Sequence, residues 1–307
     1  MKKEFDFCAR RKLFVIISLC IMAVGVLFNV IFGTSMDVSF TGGTLMRYSF
    51  TGTMDTEKAD SVAKQVLGNE ATATVETVND TEVLSISLPQ EISMDAQEEL
   101  DKQLDEAYTD NKLEQFSTNS LKASMGFWFF IKCLVAVGLA ALFLLVYVGL
   151  RFRKIGGVSA GAMALLALLH DLLIVYFVFV IFRIQLNDNF VAVMLTILGY
   201  SLNDTIVIYD RIRENRQKMG KGAPVAEIVN RSLNQSFVRT RNTTISTLIA
   251  VSTVAIVALI LRIDSIISFA VPLFFGLVSG FYSSVCLSSP LWAAWVEHKE
   301  KRAKKAS

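Results

Sequence analysis

Cysteine and histidine are scarce in this chain of 307 residues. The cysteines are scattered, so the sequence predicts neither a disulfide framework nor a zinc site. The histidines lie far apart and form no His-Glu-x-x-His pattern, which argues against a metallopeptidase. We therefore expect no metal and no cofactor. The residues concerned are Cys8, Cys20, Cys133, Cys286, His170 and His298.

Charged residues are also sparse, at 19% of the chain, whereas hydrophobic residues make up 53% and the mean hydropathy is +0.48. A soluble domain rarely has this composition. The apolar residues are collected in six runs, each close to the ~20 residues that cross a bilayer. These runs are residues 13–33, 127–150, 158–182, 190–209, 243–261 and 269–296. The sequence predicts a polytopic α-helical membrane protein with six transmembrane helices.

Lysine and arginine are unevenly distributed among the connections between these runs. They cluster before the first run, after the second and the fourth, and in the tail, whereas the opposite connections carry the single residues Arg183 and Arg262. By the positive-inside rule the clustered ends face the cytoplasm. We predict that residues 1–35 hold the cytoplasmic N-terminus and an uncleaved first span, residues 125–298 the other five spans, and residues 299–307 a basic cytoplasmic tail.

Residues 36–124 form the one sizeable polar region, which is then external. Residues 36–122 contain 17 acidic and 6 basic side chains, so the near-neutral chain combines an acidic and a basic part. The pattern predicts a small α+β domain, which we class as ferredoxin-like, with an Asn79–Asp80 turn. Its predicted strands are residues 38–50, 71–78 and 83–88, and its predicted helices are residues 55–67 and 94–108.

Two aspartates lie inside the predicted spans. An ionised carboxylate at the bilayer centre costs roughly 2.5 to 3.5 kcal/mol on insertion scales, so such a residue is usually paired, protonated or used. Asp171 lies roughly 18 Å and Asp204 roughly 22 Å below the same membrane surface, at 1.5 Å per residue. Their helices are joined by a short loop, which predicts antiparallel neighbours and a shared polar site that includes His170. The alternative is interhelical hydrogen bonding alone.

Polar residues surround Asp204 on its own helix, and this face is predicted to be wet or buried in protein. They are Tyr200, Ser201, Asn203 and Thr205.

Arg239 and Arg241 are predicted at the inner start of the fifth span. They lie two residues apart and point to different helix faces. Arg239 is offset toward the cytoplasm relative to Asp204, so a direct pair requires helix tilt or a long side-chain reach. The alternative is that each arginine extends to the lipid headgroups.

Small residues recur at four-residue spacing along the sixth span, a pattern that lets helix backbones approach closely. They are Gly276, Gly280, Ser284 and Ser288.

Four motifs together resemble those of one family. In order, spacing and length the chain resembles the SecF members of the SecD/SecF family, in the resistance-nodulation-division superfamily, over essentially its whole length. The long motif of residues 199–215 is highly specific, whereas a Gly-Gly or His-Asp pair alone is weak evidence. The motifs are FTGGT at residues 40–44, the His170–Asp171 pair, GYSLNDTIVIYDRIREN at residues 199–215, and SLNQSFVRTRNTT at residues 232–244.

The resemblance implies a six-helix half that a SecD-like subunit completes in the bacterial cytoplasmic membrane, beside the Sec channel (SecYEG). It implies that Asp204 and Arg239 take part in proton movement, and we group Asp171 and His170 with them. Proton movement would drive the external domain to draw exported preproteins outward. The resemblance implies no enzymatic activity and no nucleic-acid partner, and the lipid bilayer is the remaining partner. Whether the ion is H⁺ or Na⁺ stays open.

The same resemblance makes Phe40, Gly42 and Gly43 an ectodomain motif. Glycine at this point permits a bend or a close approach of backbones.

Two other classes of protein compete with this interpretation. A small-molecule exporter of the same superfamily would share a proton site, but it usually has much larger external domains and both halves in one chain. An intramembrane aspartyl protease would use Asp171 and Asp204 as a dyad, and Tyr209–Asp210 superficially resembles one of its motifs. The Gly-x-Gly-Asp expected of such a protease is absent, because Asp204 follows Ser-Leu-Asn.

Overall fold

The structure is a computed structural model that describes residues 5–52, 54–78, 81–90, 92–109, 111, 113–121, 123–220, 222–261 and 263–306. Within these residues six helical segments are long and apolar enough to cross a membrane, which confirms the predicted number of spans. Five are single helices: α1 (Arg11–Phe32), α5 (Ala123–Arg151), α6 (Gly157–Ile181), α7 (Asp188–Met219) and α8 (Val225–Ile260). The sixth comprises α9 (Asp264–Tyr282), a π-helical segment (Ser283–Ser288) and α10 (Ser289–Ala306).

Helices α7 and α8 are longer than the sequence predicted. They have 32 and 36 residues, which at 1.5 Å per residue exceeds the ~30 Å hydrocarbon core. The prediction that the fifth helix begins near residue 243 is wrong, because α8 begins at Val225. Residues 225–242 are amphipathic and lack the apolar run that marks a span, so hydropathy missed them.

The centre of the bundle is formed by α6, α7 and α9. Leu172 and Val175 of α6, Ile197 of α7 and Leu277 of α9 are buried there. The small-residue stripe lies at this contact, because a Cβ added at Gly276 would come within 2.7 Å of the Ile197 side chain. Helices α1, α5 and α8 are peripheral and expose most of their apolar side chains.

The polar region between α1 and α5 folds as an α+β unit. Its elements are a helical turn α2 (Val38–Thr41), β1 (Gly43–Ser49), α3 (Thr56–Leu67), β2 (Thr72–Val78), β3 (Thr81–Leu88), α4 (Met94–Ala107) and β4 (Glu114–Leu121). The four strands form an antiparallel sheet of order β2-β3-β1-β4. After the α2 turn, the elements follow the order β-α-β-β-α-β of a split βαβ unit. The core holds Met46, Leu84, Ile86, Leu100 and Leu104.

Two details of this unit differ from the predicted elements. The first strand does not begin at residue 38, because residues 38–41 are helical and β1 starts at Gly43. Strand β4 was not predicted, since its sequence EQFSTNSL has no apolar alternation and it pairs on one side only, with β1. The predicted turn at Asn79–Asp80 lies outside the described residues.

The ectodomain motif forms the joint between this unit and the membrane bundle. Phe40 is buried and its ring lies 5.9 Å from that of Phe129 and 5.1 Å from that of Phe130 on α5. Gly42 and Gly43 have φ angles of 75° and 131°, which L side chains rarely adopt. A Cβ on Gly43 would overlap the carbonyl oxygen of Leu88. The motif therefore fixes how the α+β unit leaves the bundle.

A short β-bridge forms a second link at the same end of the bundle. Met36 pairs with Leu186 of the α6–α7 connection in a parallel bridge. The Asp37 amide donates to the Leu186 carbonyl and the Leu186 amide to the Ser35 carbonyl, each at 2.9 Å. The segment that leads into the α+β unit is therefore attached to the loop between α6 and α7.

Candidate intramembrane polar site

Helix α7 carries polar side chains on two sides inside the bundle. On one side Ser201 and Thr205 face α6 and the sixth span. On the other side Tyr200 and Asp204 face α8. We call the first side the serine seam and the second the threonine seam.

Asp171 lies at the centre of the serine seam. It is 0% exposed, and three hydroxyls donate to its carboxylate at 2.6 Å: Ser201 on α7, Ser279 on α9 and Ser283 in the π-helical segment. His170 Nδ1 lies 3.2 Å from the same carboxylate. Distances of 2.5–2.7 Å are typical of hydroxyl donors to an ionised oxygen. The seam is thus arranged as a hydrogen-bonded cage for a buried carboxylate.

The serine seam continues toward the end of the bundle that carries both termini. Ser284 Oγ lies 2.9 Å from Thr205 Oγ1 and donates to the Ser201 carbonyl at 3.0 Å. Ser288 Oγ lies 2.8 Å from the Tyr209 hydroxyl. Both serines belong to the π-helical segment, a wider turn that occurs frequently at functional sites. The stripe predicted for packing therefore also supplies hydrogen bonds.

Asp204 lies in the threonine seam and has far fewer partners. It is 3% exposed, and Oδ2 has no hydrogen-bond partner among the described residues. The Thr244 side chain of α8 interacts with its carboxylate. Thr240, one turn away, is buried with its hydroxyl equally unpartnered within the described part of the chain. A buried carboxylate oxygen without a partner is costly, so the site is incomplete at Asp204.

The α8 side of this seam is a stripe of buried hydroxyls at four-residue spacing, which the sequence analysis did not single out. It lies along α7, and the two helices are antiparallel, since Tyr200 bonds Thr247 at 3.4 Å and Asn215 bonds Ser232 at 2.8 Å. The spacing is itself a readable signal, because residues four apart share a helix face. The stripe consists of Ser232, Ser236, Thr240 and Thr244.

The two arginines of α8 lie off this stripe. Arg239 and Arg241 flank Thr240, and each residue along a helix turns it by about 100°, so both side chains project away from the seam and are exposed. Neither forms an ion pair within the described ranges, and Arg241 bonds only the Asn242 side chain, at 3.2 Å. The chain by itself therefore does not bring Arg239 to Asp204.

The predicted site residues thus divide into three groups. His170, Asp171, Ser201 and Thr205 are joined in the serine seam, while Tyr200 and Asp204 line the threonine seam. Asn203 is exposed and belongs to neither seam, so its predicted place on the polar face around Asp204 is wrong. Within the described residues the two carboxylates have different partners, those of Asp171 in the serine seam and that of Asp204 on α8. In the described residues no cluster of three or more His, Cys, Asp or Glu is placed to hold a metal ion.

Comparisons with known proteins agree on one family. The model of the C-terminal region of the protein-export membrane proteins SecD/SecF matches residues 100–298. The SecF protein translocase subunit of Petrotoga mobilis is 31% identical over 98% of this chain and 99% of its own. SecDF of Bacillus subtilis is 29% identical over 98% of this chain but 39% of its own. The crystal structure of SecDF from Thermus thermophilus, described as a translocon-associated membrane protein, has a TM-score of 0.79 at 27% identity over 96% of this chain and 39% of that chain.

Six spans with ionisable residues held between them define a multi-pass membrane protein of the transport class. Relatives that are more than 30% identical over nearly the full length decide to which family of this class the chain belongs. The chain belongs to the SecD/SecF family, as a SecF-type subunit of the protein translocase with SecD as its partner. Neither the small-molecule exporter nor the aspartyl protease is favoured by these relatives.

Proposed function

We propose that this chain couples ion movement across the cytoplasmic membrane to protein export, with Asp204 as the group that gains and loses the proton. The observation that carries the proposal is the buried Oδ2 of Asp204, which lacks a partner among the described residues. A charge that crosses the full membrane potential changes free energy by about 2.3 kcal/mol per 100 mV, similar to the cost of a carboxylate in the bilayer. The free-energy change on protonation of Asp204 is therefore large enough to change helix packing.

Asp171 has a different role in this proposal. Its cage of three hydroxyls and His170 satisfies the carboxylate, so it stabilises the contact of α6, α7 and the sixth span. Ser201 lies one turn before Asp204 and belongs to this cage. If protonation of Asp204 shifts α7, the shift would also move Ser201 in this cage and the α6–α7 loop.

Arg239 completes the site together with the SecD-like half. The Arg239 side chain is exposed at membrane depth and has no carboxylate partner in the described residues. The Asn203 side chain is exposed as well. Charged side chains in a membrane are expected to pair with one another or to face a cavity. The SecDF relatives are more than twice as long as this chain, which supports a second half packed on the α7–α8 surface.

Both termini lie in the cytoplasm, residues 36–124 lie outside, and the external unit contacts exported preproteins beside the Sec channel. The Phe40–Gly43 joint and the Met36–Leu186 bridge transmit the motion of α6 and α7 to that unit. The protein acts as a moving subunit without covalent catalysis, and its domain limits are those predicted from the sequence.

The test is Asp204→Asn in the complete SecD-like complex. We expect normal assembly and loss of the part of export that a membrane potential stimulates, measured with inverted membrane vesicles with and without a protonophore. Asp188→Asn is the matched control, since Asp188 is an exposed carboxylate at the start of the same helix. Full stimulation in Asp204→Asn at wild-type abundance would remove Asp204 from the ion path.

A further inference from the structure

A groove of about 380 Å³ opens on the side of the bundle near the external unit. Its walls are Phe130 and Leu134 of α5, Leu169 and Leu173 of α6, and Met194 of α7, and its lining is apolar except at one end. Leu134, Leu169 and Leu173 are also exposed on the outer face of their helices. The groove therefore opens sideways, toward the hydrocarbon of the bilayer.

The length of the groove matches one leaflet. Its upper end is at Leu186, in the connection that follows Ile181 of α6, and its lower end is at Leu169. Twelve residues separate Leu169 from the end of α6, a depth of about 18 Å. Half of the ~30 Å hydrocarbon core is about 15 Å. A single acyl chain that enters from the near surface would fill the groove to its floor.

The upper end of the groove is polar. Thr34 Oγ1 and the Tyr176 hydroxyl line it, lie 2.6 Å apart, and both bond Asn29 Oδ1, at 3.1 and 3.0 Å. The Arg183 guanidinium lies over the Phe32 ring at 5.2 Å, at the same end of the helices. Arg183 is exposed and has no ion pair in the ranges that the structure describes.

The backbone keeps Arg183 in this position. Its φ of 59° is uncommon for a residue other than glycine, and its amide donates to the Val180 carbonyl at the end of α6. The backbone turn thus directs Arg183 to the end of the helices that also carries the hydroxyls of Thr34 and Tyr176.

We propose that this groove binds one acyl chain of an anionic phospholipid from the leaflet on the external side. The phosphate faces Arg183, the hydroxyls of Thr34 and Tyr176 face the glycerol region, and the acyl chain lies against α5 and α6. Basic residues between transmembrane helices are a recurring form of headgroup site. Because the groove includes Met36 and Leu186, the lipid would fill the space under the β-bridge between them. This proposal does not depend on proton coupling.

The experiment counts phospholipids on the purified full chain by native mass spectrometry after addition of dioleoyl-phosphatidylglycerol or dioleoyl-phosphatidylcholine. Leu173→Trp fills the groove, and Leu166→Trp is its control, since Leu166 is an equally exposed leucine of α6 outside the groove. We expect one tightly bound phosphatidylglycerol on wild type and on Leu166→Trp, and at least tenfold weaker binding on Leu173→Trp. Leu134→Trp, on the opposite wall, should reproduce the loss if Leu173→Trp does not fold.

Arg183→Gln tests the polar end. This variant should lose the preference for phosphatidylglycerol over phosphatidylcholine while the acyl chain still binds. On the wild-type chain, inorganic phosphate should not displace the bound phosphatidylglycerol. Equal lipid counts on wild type and both groove-filling variants would overturn the proposal. So would lipid that binds the isolated chain but is excluded once the SecD-like half is present, because the groove would then be a subunit contact.

Discussion

Buried hydroxyl groups in the sixth span differ in whether they have a partner. Ser283 and Ser289 are both 0% exposed and lie six residues apart. Ser283 donates to the Asp171 carboxylate at 2.6 Å, whereas Ser289 Oγ has no partner among the described residues. The same substitution at the two positions therefore separates the hydrogen bond from the general effect of removing a buried hydroxyl.

Ser283→Ala should lower the free energy of unfolding by about 2 kcal/mol, the usual contribution of a hydrogen bond to a charged group. Ser289→Ala should cause no loss, because it removes a buried polar atom that is not bonded. Unfolding in detergent, followed by circular dichroism, measures both. Equal losses in the two variants would mean that the cage around Asp171 does not stabilise the bundle.

The two arginines of α8 offer a second comparison at this scale. Arg239→Met should impair export far more than Arg241→Met, because the resemblance assigns the ion-coupling role to Arg239 and the two side chains leave the helix about 200° apart. The readout is potential-dependent export at matched protein abundance. Equal harm, or none in either variant, would show that the family-derived choice of Arg239 is wrong.

Sequence reasoning found the buried carboxylates but not their partners. Asp171 and Asp204 stand out because charge is rare inside an apolar run. Ser279, Ser283 and Thr240 do not, since hydroxyl residues are common in membrane helices and their role depends on helix rotation. That rotation is set by packing between helices, which one sequence does not specify.

Among the structural elements, glycine determines the closest approaches. Gly126 near the start of α5 lies against the backbone of Gly42, and a Cβ at this position would overlap the Gly42 amide nitrogen. Gly138, three turns along the same helix, has open space around it. The contact at Gly126 therefore belongs to the joint with the α+β unit, whereas Gly138 makes no comparable contact with the described residues.

Gly126→Ala should destabilise the protein by roughly 1–3 kcal/mol, because backbone cannot move aside as a flexible side chain does. Gly138→Ala should be neutral or slightly stabilising, since alanine favours the helix. The midpoint of thermal unfolding in detergent gives the comparison. An unchanged midpoint for Gly126→Ala would argue against a tight contact between α5 and the joint.

The elements themselves show where sequence patterns suffice. Six apolar runs identify six spans, and alternation together with helix periodicity identifies most of the α+β unit. Strand β4 and the first half of α8 were missed for the same reason: both are held by tertiary contacts, not by an apolar pattern of their own. Residues 38–41 read as strand by composition, but they form a helical turn whose Phe40 packs against α5.

At the scale of the whole molecule, the described residues include two links between the α+β unit and the bundle, the Phe40–Gly43 joint and the Met36–Leu186 bridge. The bridge ties the exit of α1 to the loop between α6 and α7, the two helices that carry the buried carboxylates. Motion of those helices relative to α1 therefore has to alter the bridge or travel through it.

A disulfide across the bridge should uncouple export from the membrane potential. Met36→Cys with Leu186→Cys, in a background without the four native cysteines, joins two residues already paired at strand spacing, within the range of a disulfide. We expect stimulated export to fall on oxidation and to return on thiol reduction, with each single variant as control. Undiminished export in the fully crosslinked protein would show that the bridge is static.

The π-helical segment has a consequence for how this protein tolerates changes in length. A π turn accommodates more residues than an α turn, and each residue corresponds to about 100° of rotation. The segment therefore sets the phase between α9 and α10, so that Ser279 faces Asp171 while Trp292 lies against Tyr209 with its Nε1 3.2 Å from Ser159 Oγ. Loss of one residue between 283 and 288 would turn α10 by about a quarter of a revolution and move Trp292 off its partners. A deletion near the end of α10 would only shorten it.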